Sequence, residues 1–135
     1  MKPIFLSFLY FFLIFMIIDA IWLSYSIKRI YLPNLSSVPM NDRPKFLVGI
    51  VFYFIYVLGV TLIVLKPAIE NNSILQAFWT GAVFGIVAYG TYNLTNLVFI
   101  KNWSYGVTVL DMFWGGFLTS LSAASSVYLT KFFSS

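Results

Sequence analysis

The sequence predicts an all-α integral membrane protein, an antiparallel bundle of four transmembrane helices forming one domain over residues 1–135. Composition gives the first reason. Hydrophobic residues make up 61% of the chain, aromatics 21% and charged residues only 9%, against roughly 25% charged in soluble domains. A soluble chain this short could not hide so much apolar surface, whereas a bilayer solvates it. The second reason is segmentation: apolar runs cover about 4–27, 46–65, 74–100 and 105–130, each meeting the ~20 residues needed to cross the hydrocarbon as a helix. The third is that most charges fall in the gaps between these runs.

Each segment has its own signals. The first follows Lys2 and could pass for a signal peptide, but its apolar stretch is too long for one and lacks a small-x-small cleavage pattern. It is therefore expected to be an uncleaved spanning helix. Pro33, Pro39 and Pro44 are expected to break the connection to the second segment, and Lys66-Pro67 to end that segment. Ser73-Ile-Leu-Gln76 is a capping-box pattern that opens the third helix. Lys101-Asn102-Trp103 forms the last turn, with Trp103 and Tyr105 suited to the membrane interface, as are Trp79 and Tyr128.

Charge sets a topology. Lys28, Arg29, Arg43, Lys45 and Lys101 belong to the first and third loops, while Lys2, Lys66 and Lys131 lie at the opposite end. Positive charge thus favours a multi-pass protein of the cell inner membrane with the first and third loops cytoplasmic. The basic first loop is read as a topology determinant touching anionic headgroups. With no His and no Cys, the usual zinc, haem and iron–sulfur ligands, the usual general base and any disulfide are missing, so no cofactor or metal is expected. No basic patch interleaved with polar residues suggests nucleic acid.

Two intramembrane carboxylates stand out. Asp19 and Asp111 each precede a tryptophan by one helical turn, in D-A-I-W-L and D-M-F-W-G. A carboxylate in hydrocarbon costs about 2.5 kcal/mol or more, so such a residue is a functional candidate by default. Helices one and four run in opposite directions. Asp19 lies nine residues before Lys28, about 13 Å along a helix, and Asp111 ten residues after Lys101. Both therefore fall at comparable depth in the half of the bundle nearest the first and third loops. Tyr53 and Tyr56 of helix two lie in that half, as does the polar stretch Ala88–Asn96 of helix three.

Helical spacing gathers these groups into inward stripes of small and polar residues, of the kind that faces other helices. The stripes are Phe12, Phe15, Asp19, Trp22 and Ser26; Gly49, Tyr53 and Tyr56; Gly81, Gly85, Ala88 or Tyr89, Tyr92 and Asn96; and Thr108, Asp111, Gly115, Thr119, Ser122 and Ser126. The expectation is a buried, aromatic-walled polar site. Its binding or proton-exchanging candidates are Asp19, Trp22, Tyr53, Tyr56, Tyr89, Tyr92, Asn93, Asn96, Asp111 and Trp114. The plainer expectation is that the aspartates and asparagines only fix helix packing, and that Gly81-x-x-x-Gly85 serves close contact within the bundle.

The residues D-x-x-W-L at 19–23, A-Y-G-T-Y-N-L-T-N at 88–96, K-N-W at 101–103 and T-V-L-D-M-F-W-G at 108–115 carry a resemblance. In segment order over essentially the whole chain, the sequence resembles the bacterial predicted membrane proteins of domain of unknown function 2177. The resemblance implies the four-helix fold and no activity. It also implies an Asp where this chain has Asn93, so one intramembrane carboxylate would be missing here.

Three function classes follow. The foremost is binding or transport of a small or lipid-like molecule, with a proton exchanged at the aspartates; small four-helix exporters offer a fold-level analogy only. The alternative is a non-catalytic accessory or assembly subunit of a membrane complex. The third, an intramembrane enzyme acting on lipid, has an Asp and a Tyr to work with and no nucleophile or metal constellation. Four helices are too few to enclose a wide pore, so a conduction path would require a homodimer or more.

Overall fold

The computed structural model describes residues 2–40, 43 and 45–134, and the described residues form four spanning helices: α1 Lys2–Asn34, α2 Phe46–Glu70, α3 Ile74–Phe99 and α4 Tyr105–Ser134. All four are long and apolar enough to cross a bilayer. The chain is a four-helix membrane protein.

Both helices that carry an internal proline run further than the sequence suggested. Pro33 lies inside the last turn of α1, and Pro67 lies inside α2, which ends only at Glu70. Pro44 lies outside the described residues. A proline in a helix lacks an N–H and presses its ring against the carbonyl four residues earlier. Here that carbonyl belongs to Arg29 in one helix and Ile63 in the other. Each is the central residue of a π-helical turn, Ile27–Tyr31 and Thr61–Leu65. The wider turn moves the carbonyl clear of the ring, so the helix continues where a regular one would break.

The connection from α2 to α3 is a tight one. Asn72 takes a left-handed φ of 54°, a conformation asparagine tolerates. Its N–H bonds the Ile69 carbonyl at 3.1 Å, and the Ser73 N–H bonds the Ala68 carbonyl at 2.9 Å, a Schellman closure. The Ser73 hydroxyl then caps α3 by accepting from the Gln76 N–H at 3.0 Å. The reciprocal half of the capping box is replaced, because Gln76 Oε1 accepts from Asn71 instead.

Helix α4 is the axis of the bundle. Half of its most apolar stretch is buried, against 22–28% for the other three helices. Its contact with α3 is the most extensive in the molecule and is built on glycines. A Cβ on Gly85 would overlap the Gly115 carbonyl, and one on Gly81 would lie 3.1 Å from Ser120 Cα. Gly81-x-x-x-Gly85 thus serves contact within the bundle. Among the buried hydroxyls of α4, Thr119 bonds across to Tyr56 of α2, whereas several others turn back on their own helix. Ser120, Ser126 and Thr130 each bond a carbonyl of their own helix, which leaves a slim, non-greasy face for neighbours to approach.

Helix α2 joins this assembly by one half only. Val57, Val60, Val64, Leu65 and Ala68 are buried with Phe11, Phe15, Leu118 and Val127 in the core. The opposite half, from Phe46 to Ile55, presents almost every side chain outward, and a Cβ added at Gly49 would meet nothing within 4 Å. Gly49 is therefore not the packing residue its place in the stripe suggested. Where α2 stands off, the bundle is open.

Candidate functional site

The opening is a cavity of about 480 Å³ at the end of the bundle nearest the first and third loops. Helix α1 lines it with Asp19, Trp22 and Tyr31; α2 with Tyr53; α3 with Tyr89, Tyr92 and Asn93; α4 with Val107, Asp111 and Trp114. The first loop borders it with Leu35, Val38, Pro39 and Met40, and Trp103 also lines it. A second cavity of about 300 Å³ adjoins it between α2 and α3, lined by Phe52, Ala88, Tyr89, Tyr92 and Asp111. Phe52 and Tyr92 are exposed on the outside of the bundle, so this apolar gap reaches the membrane-facing surface.

Each oxygen of each aspartate meets a different donor. Asp19 accepts from the Tyr53 hydroxyl on Oδ2 and from Trp114 Nε1, at 3.3 Å, on Oδ1. Asp111 accepts from the Tyr31 hydroxyl at 2.7 Å on Oδ1 and from Asn93 Nδ2 at 2.6 Å on Oδ2. Trp22 Nε1 in turn donates to the Tyr31 hydroxyl at 3.3 Å. The two D-x-x-W motifs are therefore crossed. The tryptophan of the second serves the aspartate of the first directly, and the tryptophan of the first serves the aspartate of the second through Tyr31. Between them the Trp22 and Trp114 rings stack, with centroids 4.5 Å apart and planes 20° from parallel.

Two buried polar atoms at the site have no partner among the described residues. Asn93 is fully buried, its amide nitrogen divided between Asp111 and the Tyr89 carbonyl, while its Oδ1 is unbonded. The amide orientation follows from these contacts, since the reverse would set an oxygen against a carboxylate. Trp103 Nε1 is likewise buried and unbonded, its ring edge-on to Tyr92 at 5.8 Å.

The ten candidate residues divide into two groups. Asp19, Trp22, Tyr53, Tyr89, Tyr92, Asn93, Asp111 and Trp114 meet at the cavity. Tyr56 and Asn96 do not line it. Tyr56 sits one turn deeper, 5% exposed, with its hydroxyl 2.6 Å from Thr119 Oγ1, and belongs to the core beneath the cavity floor. Asn96 lies one turn past Asn93 on α3, half-buried and outside the cavity lining. Tyr31 is the participant that sequence reasoning missed, and Trp103, expected as an interface anchor, also lines the cavity.

Chemically, the site presents two hydrogen-bonded carboxylates inside aromatic walls. Among the described residues no Lys or Arg lines it, and no group of three or more His, Cys, Asp or Glu could hold a metal ion. Lys28, Lys45 and Lys101 are exposed, and Arg29 is turned onto the Tyr25 ring at 4.6 Å.

Comparison with known families gives one match, to a family model described as "Predicted membrane protein (DUF2177)", over residues 4–128. No curated protein and no solved structure matches the chain.

Proposed function

We propose that this chain, which belongs to the DUF2177 family of predicted membrane proteins, binds a small amphiphilic molecule in the cavity among its four helices and carries it between membrane and loop-side water. The region that matches the family takes in every residue of the cavity. The observation behind the reading is that the costliest groups in the bundle line a cavity. Two intramembrane aspartates border some 480 Å³ of unfilled volume, whereas a purely structural pair would be enclosed by packed side chains. Ligand sites are concave and mostly apolar, with a few convergent polar groups, and this cavity has that make-up. Its apolar gap between α2 and α3 suits entry from the bilayer. The basic residues about the first and third loops favour a cytoplasmic setting for this end.

Three of the four tryptophans, Trp22, Trp103 and Trp114, line the cavity, so fluorescence reports on it once Trp79 is replaced. The test uses the Trp79→Phe protein in phosphatidylcholine nanodiscs, titrated below micellar concentration with dodecanol, dodecylammonium and dodecylsulfonate. The reading expects a saturable change with at least one probe, lost in Val107→Phe, which fills the cavity from a wall residue only 2% exposed. If all three probes give only the linear partitioning response that Val107→Phe also shows, the cavity is not a binding site.

A further inference from the structure

We infer that the headgroup this cavity receives is a protonated amine, carried on an apolar tail that leaves through the gap between α2 and α3. The inference rests on the binding reading above and names the chemistry of its ligand. Three independent observations converge on it.

The first is charge. The lining carries two carboxylates and, among the described residues, no cation. Neutral donors hold all four carboxylate oxygens, but they do not cancel the charge, and a carboxylate in the membrane half of a bundle is normally paired. A carboxylate oxygen has two acceptor directions, so a further donor can be added at each without displacing Tyr31, Tyr53, Asn93 or Trp114. A cation is the group the site lacks.

The second is the unbonded acceptor. Asn93 Oδ1 is fully buried and unbonded, and its own nitrogen bonds Asp111, so the free oxygen and the carboxylate belong to one cluster. An N–H donor that displaced the packing over this oxygen would bond it close to Asp111. A second anion would have to approach two carboxylates and a carbonyl oxygen. An alcohol would satisfy one acceptor and leave the charge uncompensated.

The third is the wall. The stacked Trp22 and Trp114 rings, with Tyr31, Tyr89 and Trp103, surround the carboxylates with aromatic surface, the surface that stabilises ammonium groups by their attraction to the ring faces. The adjoining gap, lined by Phe52, Ala88, Tyr89 and Tyr92, offers the tail an apolar path that starts at Asp111 itself.

The same nanodisc titration separates this inference from the one beneath it. Dodecylammonium is expected to bind roughly 10-fold or more tightly than dodecanol, a factor that a desolvated cation–aromatic attraction alone supplies. Dodecylsulfonate is expected to give no saturable change. In Asp19→Asn/Asp111→Asn the ammonium preference should fall to roughly 3-fold or less, with near-ultraviolet circular dichroism showing that the Trp22–Trp114 stack survives. Saturable binding in which dodecanol or dodecylsulfonate equals dodecylammonium overturns the amine and leaves the binding site standing. The order of the three probes on the protein with native aspartates decides the matter even if the double variant does not fold.

Discussion

The crossed tryptophans invite a double-mutant cycle between Asp19 and Trp114, residues 95 positions apart. Trp114→Phe removes the indole N–H but keeps a ring against Trp22, and Asp19→Asn removes the charge but keeps the shape. A hydrogen bond to a charged group contributes about 1.5–3 kcal/mol in soluble proteins. Two facts lower that figure here. The Nε1–Oδ1 distance is 3.3 Å, longer than the ~2.9 Å of a well-formed bond. Side-chain hydrogen bonds between membrane helices average only about 0.6 kcal/mol, with a maximum near 1.7. The expected coupling is therefore about 1 kcal/mol. The control pairs Trp114→Phe with Asp111→Asn, the aspartate of its own motif, which Trp114 meets only through the Trp22 stack and Tyr31, and should show a coupling smaller than that to Asp19. Equilibrium unfolding in mixed micelles, driven by sodium dodecyl sulfate and read by near-ultraviolet circular dichroism, gives all the free energies needed. Additivity with Asp19 together with coupling to Asp111 would refute the crossed arrangement.

Three further outcomes are expected. Gly85→Leu drives a side chain into the Gly115 carbonyl and should cost about 1–3 kcal/mol or separate α3 from α4, whereas Gly49→Ala meets nothing and should be neutral or stabilise by up to about 1 kcal/mol; the same unfolding assay compares them. Tyr56→Phe removes the bond to Thr119 at a cost of about 0.6 kcal/mol and should leave the fluorescence response to amphiphiles unchanged, because Tyr56 lies beneath the cavity floor. Tyr31→Phe takes a donor from Asp111 and the acceptor from Trp22 together, so it should alter the near-ultraviolet signal of the indole stack as much as Trp114→Phe does; an unchanged spectrum would mean that Tyr31 is a bystander.

Much of this site was legible because depth and helical spacing are properties a sequence carries. Antiparallel helices of known length place Asp19, Asp111, Tyr53 and the stretch around Asn93 at one level, and the structure brings those residues to one cavity. Spacing alone could not find Tyr31. It stands twelve residues after Asp19, which a regular helix turns about a third of the way off the Asp19 face. The π-turn at Ile27–Tyr31 takes up one residue, leaving about eleven, close to three full turns. Tyr31 thereby returns above Asp19 and reaches Asp111. The signal was Pro33, which reads as a terminator and acts instead as the reason for the wide turn. Tyr56 and Asn96 share the inward stripes but not the cavity lining, for a different reason. A stripe records which face is inward and does not record where along it a neighbour such as Thr119 takes the hydroxyl.

The partners of Asp19 also set an order of events during synthesis. Helix α1 enters the membrane carrying a carboxylate that costs about 2.5–3.5 kcal/mol to insert, and its two donors lie 34 and 95 residues further along the chain. Tyr53 arrives with the second helix, while Trp114 arrives only with the last. A nascent chain halted after α3 holds Asp19 by one bond, and Asn93 faces no carboxylate at all. Translation of α4 supplies Trp114 to the first helix and Asp111 to Tyr31 and Asn93 in one step. The bonds that shape the cavity are thus completed only by the last helix, and without it one oxygen of Asp19 lacks its donor.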